Sequence, residues 1–174
     1  MSGFSKHPRL ADYETLGMSV QPIPAGYTSL TPFLCVVGAA AAIDFYTSVF
    51  GATLVEKMDG PDGSVAHAEI DFGNGRLQLG DPNDAYGIVG PASGGEVVTY
   101  SVALYCPDVD DVVARAQRAG ATVREAPQDF ATGDRFASIR DPFGVRWTVM
   151  TRVEDVSAEE RDRRLGEWTA QNVN

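Results

Sequence analysis

The 174-residue chain has only two cysteines and two histidines, and no apolar run near the ~18 to 20 residues that a bilayer span requires. Two thiols, Cys35 and Cys106, build no disulfide framework and read as small reduced side chains of a core. Basic residues are scarce: 14 Lys and Arg stand against 24 Asp and Glu, for a net charge of -10. Nucleic acid and anionic membrane are therefore not expected as partners, because both need a basic patch. Also absent are a Gly-rich phosphate loop, a CxxC pair and a Ser nucleophile elbow, which leaves nucleotide-fold and hydrolase readings without support. The segment MSGFSKHPRLADYETLG lacks the basic start, apolar stretch and cleavage site of a signal peptide, so a cytoplasmic location is expected.

What the chain has is enough apolar residue, 44%, to bury roughly two-thirds of its extended surface around one core. It also has an internal repeat. Gly51-Ala52-Thr53 recurs as Gly120-Ala121-Thr122 and Glu56 as Glu125 at an offset of 69, while Asp71 and Arg76 recur as Asp141 and Arg146 at 70. In the first unit the apolar stretch Pro32 to Val37 precedes Ala39, Ala42, Ile43, Tyr46, Val49 and Phe50 at helical spacing. The second unit repeats the order, with Val102 to Cys106 before Val109, Val112, Val113, Ala116 and Ala119. Asp108 suits an N-cap, and Gly51 and Gly120 suit the left-handed residue that closes a helix. Three β-like stretches follow each helix: Thr53 to Lys57, Val65 to Phe72 and Arg76 to Leu79, then Thr122 to Glu125, Arg135 to Arg140 and Val145 to Met150. Ser157 to Glu160 is a capping box that opens a last helix carrying Leu165 and Trp168.

These signals predict an α+β fold of two tandem βαβββ modules forming a curved, partly open sheet with helices outside, plus a C-terminal helix. The expected divisions are an N-terminal extension (1–27), a first module (28–80), a linker rich in Gly, Pro, Ser and Asn (81–98), a second module (99–152), and the C-terminal helix and tail (153–174). A sheet with one helix on one face leaves its other face open, so either the two modules or two chains must supply cover, and a homodimer is the default.

With Ala41-Ala42-Ile43-Asp44-Phe45-Tyr46, Phe50-Gly51-Ala52, His67-Ala68-Glu69, Asp141-Pro142-Phe143-Gly144, Trp147 and Val153-Glu154-Asp155-Val156-Ser157, the chain resembles the glyoxalase/bleomycin-resistance/dioxygenase superfamily. That superfamily is also called vicinal oxygen chelate, and the resemblance is to its PhnB-like branch over residues 30 to about 160. It implies a glyoxalase-like fold and, in metal-dependent members, a divalent ion held by four side chains. Placed on that pattern, the four positions are Thr31, Gln78, Ser101 and Thr148, none of them anionic or imidazole. No metal or other cofactor is therefore expected there, and a relocated divalent site involving His67 and Glu69 stays open.

Alternation along the strands gives the rest of the candidate site. If Leu34, Val36, Leu77, Leu79, Val102, Leu104, Ile139, Trp147 and Val149 face the helices, the opposite face carries Thr31, Phe33, Cys35, His67, Glu69, Arg76, Gln78, Ser101, Ala103, Tyr105, Phe136, Ser138, Arg140, Arg146 and Thr148. Phe33, Tyr105 and Phe136 can stack on a flat ligand, and Arg76, Arg140 and Arg146 can hold carboxylates or phosphates. The plainer alternative pairs Arg76 and Arg146 with Glu69 and Asp71 across strands.

Three functions fit. The first is a small-molecule-binding protein that holds an organic ligand, drug-like and cationic or aromatic, as drug-sequestering and antibiotic-resistance members do. The second is a lyase, isomerase or dioxygenase-type enzyme using a metal or the His67/Glu69 pair as catalytic groups. The third is an interaction protein whose cleft is filled by its own side chains.

Overall fold

The computed structural model describes residues 20–91 and 97–172. The expected extension falls outside the described residues over 1–19, and the expected linker over 92–96. The first module runs β1 (Phe33–Cys35), α1 (Ala39–Phe50), β2 (Thr53–Asp59), β3 (Val65–Asp71) and β4 (Arg76–Gly80). The second runs β5 (Val102–Tyr105), α2 (Val109–Arg118), β6 (Thr122–Asp129), β7 (Asp134–Arg140) and β8 (Arg146–Arg152), and α3 (Ala158–Asn172) follows.

Each module is one four-stranded sheet, ordered β1-β4-β3-β2 and β5-β8-β7-β6. β1 runs parallel to β4 and β5 to β8, because a helix crossover separates them; the other pairs are antiparallel hairpins. β2 and β6 extend past the stretches expected from sequence to Asp59 and Asp129, through register shifts that let polar residues continue along an exposed edge.

Helix ends follow local chemistry. Asp108 Oδ1 accepts from Asp111 N at 3.0 Å, the expected N-cap of α2. Gly38 has no side chain to cap α1, and Asp81 serves from the end of β4, accepting from Gly38 N at 2.8 Å and Ala39 N at 3.1 Å. Ser157 Oγ accepts from Glu160 N at 3.2 Å to open α3.

The residues expected to face the helices do so: Leu34, Val36, Leu77, Leu79, Ile139, Trp147 and Val149 are buried, with Val102 and Leu104 partly so. α1 and α2 touch, and the modules share one core. Trp147 of β8 sits at its centre, with ring centroids 4.7 Å from Phe50 and 5.2 Å from Tyr46, both on α1. At the same seam the buried carboxylate of Asp141, in the β7–β8 turn, accepts from Tyr46 Oη at 2.8 Å, Trp147 Nε1 at 2.9 Å and the backbone N of Phe143 and Val145. Burial pushes the Asp141 pKa above the ordinary aspartate value, against the pull of those donors. The helices therefore pack on one side of both sheets and leave the other side of each for the site.

Candidate functional site

Strand register arranges the helix-free faces in rows. In the first module Phe33, Gln78, Glu69 and Glu56 are successive cross-strand partners, and Arg76 stands opposite Asp71. In the second, Ala103, Thr148, Ser138 and Glu125 form the equivalent row, beside a row of Tyr105, Met150, Phe136 and Gln128. Neighbouring strands lie ~4.8 Å apart, so Tyr105 and Phe136 flank Met150 at roughly 10 Å from each other.

The first face is crowded. Glu69 is only 7% exposed, and its Oε2 accepts from Tyr27 Oη, a residue of the segment leading into β1. Arg76 Nη1 lies 3.2 Å from the same oxygen, while Gln78 Nε2 donates to Oε1 at 3.0 Å and His67 Nε2 stands 3.6 Å from it. The guanidinium of Arg76 also sits over the Tyr27 ring, 4.4 Å from its centroid. The Tyr27 hydroxyl holds the Glu69 pKa below the ordinary value; burial opposes it, and Gln78, His67 and Arg76 reinforce it. Glu69 is thus a satisfied anion. His67 stacks on Phe33 at 6.1 Å between centroids.

The second face is more open and less charged. Arg146 Nε donates to Ser138 Oγ at 3.1 Å, and its Nη2 reaches Glu125 Oε1 at 3.4 Å. Sequence paired Arg76 and Arg146 with Glu69 and Asp71. Arg76 does meet Glu69, with its Nε 3.8 Å from Asp71, but Arg146 turns to Glu125, because each arginine stays on its own sheet. Tyr105 is 61% exposed, and its hydroxyl donates to Asp134 at 3.3 Å. Phe136 meets Phe130 edge to face at 5.6 Å, and Trp168 of α3 meets Phe130 in the same manner. Arg140 lies at the end of β7 beside a surface hollow containing Val37, Pro91 and Pro142, away from the Tyr105–Phe136 row.

Between the modules runs a cleft of about 340 Å³. Pro32, Phe72 and, from the edge strand β5, Val102 and Leu104 supply apolar surface above the buried Leu77 and Trp147, and Arg76 and Tyr105 line its sides. It brings together two expected site residues from different modules, Arg76 and Tyr105.

The four positions that the resemblance implies for metal ligands carry no carboxylate, imidazole or thiol. Gln78 and Thr148 lie mid-strand, and Thr31 and Ser101 stand just before β1 and β5. All four are uncharged, so they would neither neutralise a dication nor replace its hydration. At the relocated pair, the only carboxylate already faces Arg76, whose charge repels a cation. Among the described residues no cluster of three or more His, Cys, Asp or Glu side chains is placed to hold a metal. No helix among them is long and apolar enough to cross a membrane.

Sequence reasoning missed Tyr27, Phe130 and Trp168 as parts of these faces. The large apolar side chain of Trp168 signalled that α3 docks; nothing in the non-repetitive segment before β1 marked Tyr27.

Comparison with known proteins agrees with the architecture. The model of the Glyoxalase/Bleomycin resistance protein/Dioxygenase superfamily matches residues 28–149. Uncharacterized protein Rv0887c of Mycobacterium tuberculosis is 37% identical over 151 residues, which cover 84% of this chain and 84% of that protein. Among solved structures, TioX from Micromonospora sp. ML1 is similar at 26% identity and a TM-score of 0.57, over 72% of this chain and 98% of that one. A putative 3-demethylubiquinone-9 3-methyltransferase, PhnB protein, from Bacillus cereus shares the fold at 20% identity and a TM-score of 0.54, over 71% and 99%.

Proposed function

The chain belongs to the Glyoxalase/Bleomycin resistance protein/Dioxygenase superfamily, and from that premise we propose that it is a small-molecule-binding protein that works without a metal or other cofactor. The observation that carries this reading is the cleft between the modules: about 340 Å³, apolar through Pro32, Phe72, Val102 and Leu104, with Arg76 and Tyr105 as polar anchors. That size and lining are those of an organic-ligand pocket. Beyond Tyr105 the face continues through Met150 to Phe136, which adds aromatic surface for a flat or cationic organic ligand.

The enzyme reading has less support. A general base needs a carboxylate or imidazole free to take a proton, whereas Glu69 is held ionised by Tyr27, Gln78 and Arg76 and directs its lone pairs at them. Antibiotic sequestration and a cytoplasmic location extend this proposal. So does a homodimer, in which a second copy covers the open faces that expose Phe33 by 40% and Tyr105 by 61%.

The test pairs metal analysis with ligand binding. Purified protein should carry no stoichiometric divalent metal, and a panel of aromatic and cationic organic compounds should contain some that raise its melting temperature. Tyr105→Ala and Phe136→Ala should each weaken those compounds. Stoichiometric metal lost in His67→Ala would favour the enzyme. Binding left unchanged by both aromatic variants would refute the site, and sedimentation of a monomer at micromolar concentration would remove the dimer.

A further inference from the structure

Most of the segment leading into β1 lies exposed. Over residues 20–32 only Ile23, Tyr27 and Thr31 are partly buried, and the segment has no periodic apolar pattern of its own. Its backbone makes a single internal turn, Tyr27 N to Pro24 O at 3.1 Å. Tyr27 is its polar anchor. The phenol hydroxyl donates to the buried Glu69 carboxylate, and the ring face receives Arg76. Gly26 makes this approach possible: its φ is +83°, and a Cβ there would stand 2.8 Å from Arg76 Nη2.

We propose that the helix-free face of the first module is a binding site for a hydroxyaryl group, which Tyr27 occupies from within the chain. Two partners that Tyr27 satisfies are already in place beneath it. Glu69 is held by Gln78 and Arg76 on its sheet, but its Oε2 points up to the hydroxyl, and a buried carboxylate that loses a donor is costly. Arg76 presents a flat cation with its Nε buried and without a hydrogen-bond partner, a surface that a ring face covers well. Together they select an aromatic ring bearing a hydroxyl donor. An aliphatic alcohol lacks the face, and an aryl ether lacks the proton.

Arg76 also lines the cleft between the modules, so the Tyr27 position and that cleft share one side chain. The inference thus rests on the binding reading and adds a ligand class to it. In the intact chain an external phenol competes with a tethered one. Tyr27 sits six residues before Phe33 of β1, and so short a tether gives an effective concentration of at least about 1 mM.

The test is chemical replacement of the missing side chain in the full-length protein. p-Cresol, the tyrosine side chain as a free molecule, should bind Tyr27→Ala at least tenfold more tightly than wild type, followed by calorimetry and by amide shifts of Glu69 and Gln78. 4-Methylanisole, with the ring and oxygen but no hydroxyl proton, should show no such gain. Tyr27→Ala/Glu69→Gln should lose the p-cresol gain, and Tyr27→Ala/Tyr105→Ala should keep it, which separates this site from the Tyr105–Phe136 face. Tyr27→Phe, which opens no cavity, should fall between wild type and Tyr27→Ala, and it decides the matter if Tyr27→Ala does not fold. Equal p-cresol affinity in wild type and the folded Tyr27 variants would overturn the proposal, as would equal gains for p-cresol and 4-methylanisole.

Discussion

The Tyr46 hydroxyl on the first module's helix donates at 2.8 Å to Asp141 in the second module's last hairpin, and Trp147 Nε1 donates to the same oxygen at 2.9 Å. This shared acceptor joins the modules by direction, whereas the aromatic rings around it join them by area. Tyr46→Phe keeps the ring packing and removes one charge-assisted bond, so it should lower unfolding stability by about 1.5 to 3 kcal/mol. Asp141→Ala should cost more, because it strands Tyr46, Trp147 and two backbone N–H groups in a buried site at about 1 to 3 kcal/mol for each unsatisfied donor. Urea denaturation of both variants measures the order; Asp141→Ala costing less than Tyr46→Phe would show that the carboxylate is not what joins the modules.

Acid should loosen the segment before β1. Glu69 has a pKa below its ordinary value of 4.5, through the Tyr27 bond first, with burial opposing and with Gln78, His67 and Arg76 adding to the shift. A carboxyl whose folded pKa is depressed contributes stability above its unfolded value, and that contribution is lost as pH falls through the folded one. The difference in urea midpoint between wild type and Glu69→Gln should be constant from pH 7 to about 5 and shrink below about 4.5. A difference that grows on acidification would contradict the sign.

α3 is docked by few groups. Trp168, still 43% exposed, meets Phe130 edge to face at 5.6 Å, and Arg164 grips Glu154 through bonds of 2.7 and 2.9 Å. Such an aromatic pair contributes about 0.5 to 1.5 kcal/mol beyond its area, whereas the exposed ion pair is screened by solvent and adds little. Trp168→Ala should therefore free the helix without unfolding the modules: trypsin should cleave at Arg161, Arg163 or Arg164 faster than in wild type, with the main melting transition nearly unchanged. Arg164→Ala should have a smaller effect, and 0.5 M salt should weaken it further.

Much of the fold is legible in the sequence because repeat, strand alternation and helix capping are local signals. The offsets that relate Gly51 to Gly120 and Arg76 to Arg146 mark equivalent positions in the two modules, and parity places Leu77 and Trp147 inward. What depends on how separate pieces meet is not written in any window. Tyr46 and Asp141 are 95 residues apart, and no periodicity links them. Glu69 was legible as a partner of His67 and Arg76, but its strongest donor, Tyr27, comes from a segment without pattern. Likewise Trp168 meets Phe130 only because α3 turns back onto the β6–β7 hairpin.

Gly133, in the turn before β7, shows where that return is most tightly constrained. Its φ is +89°, and a Cβ there would stand 2.3 Å from the Glu154 carbonyl oxygen and 2.7 Å from Val156 Cγ2. Its own carbonyl accepts from the backbone N of Val153 and Glu154 at 3.0 Å, so the chain leaving β8 lies directly on it. Gly63, in the corresponding hairpin of the first module, has φ +83° with open space around the missing Cβ. Gly63→Ala should therefore incur only the left-handed backbone penalty, about 1 to 2 kcal/mol. Gly133→Ala carries the same penalty and must also push the backbone of Glu154 away, breaking two hydrogen bonds at about 0.5 to 1.5 kcal/mol each. The melting temperature should fall further for Gly133→Ala, and its α3 should become trypsin-sensitive as in Trp168→Ala, while Gly63→Ala leaves the helix protected. Equal losses in the two variants would mean that the contact between Gly133 and Glu154 does not hold the helix in place.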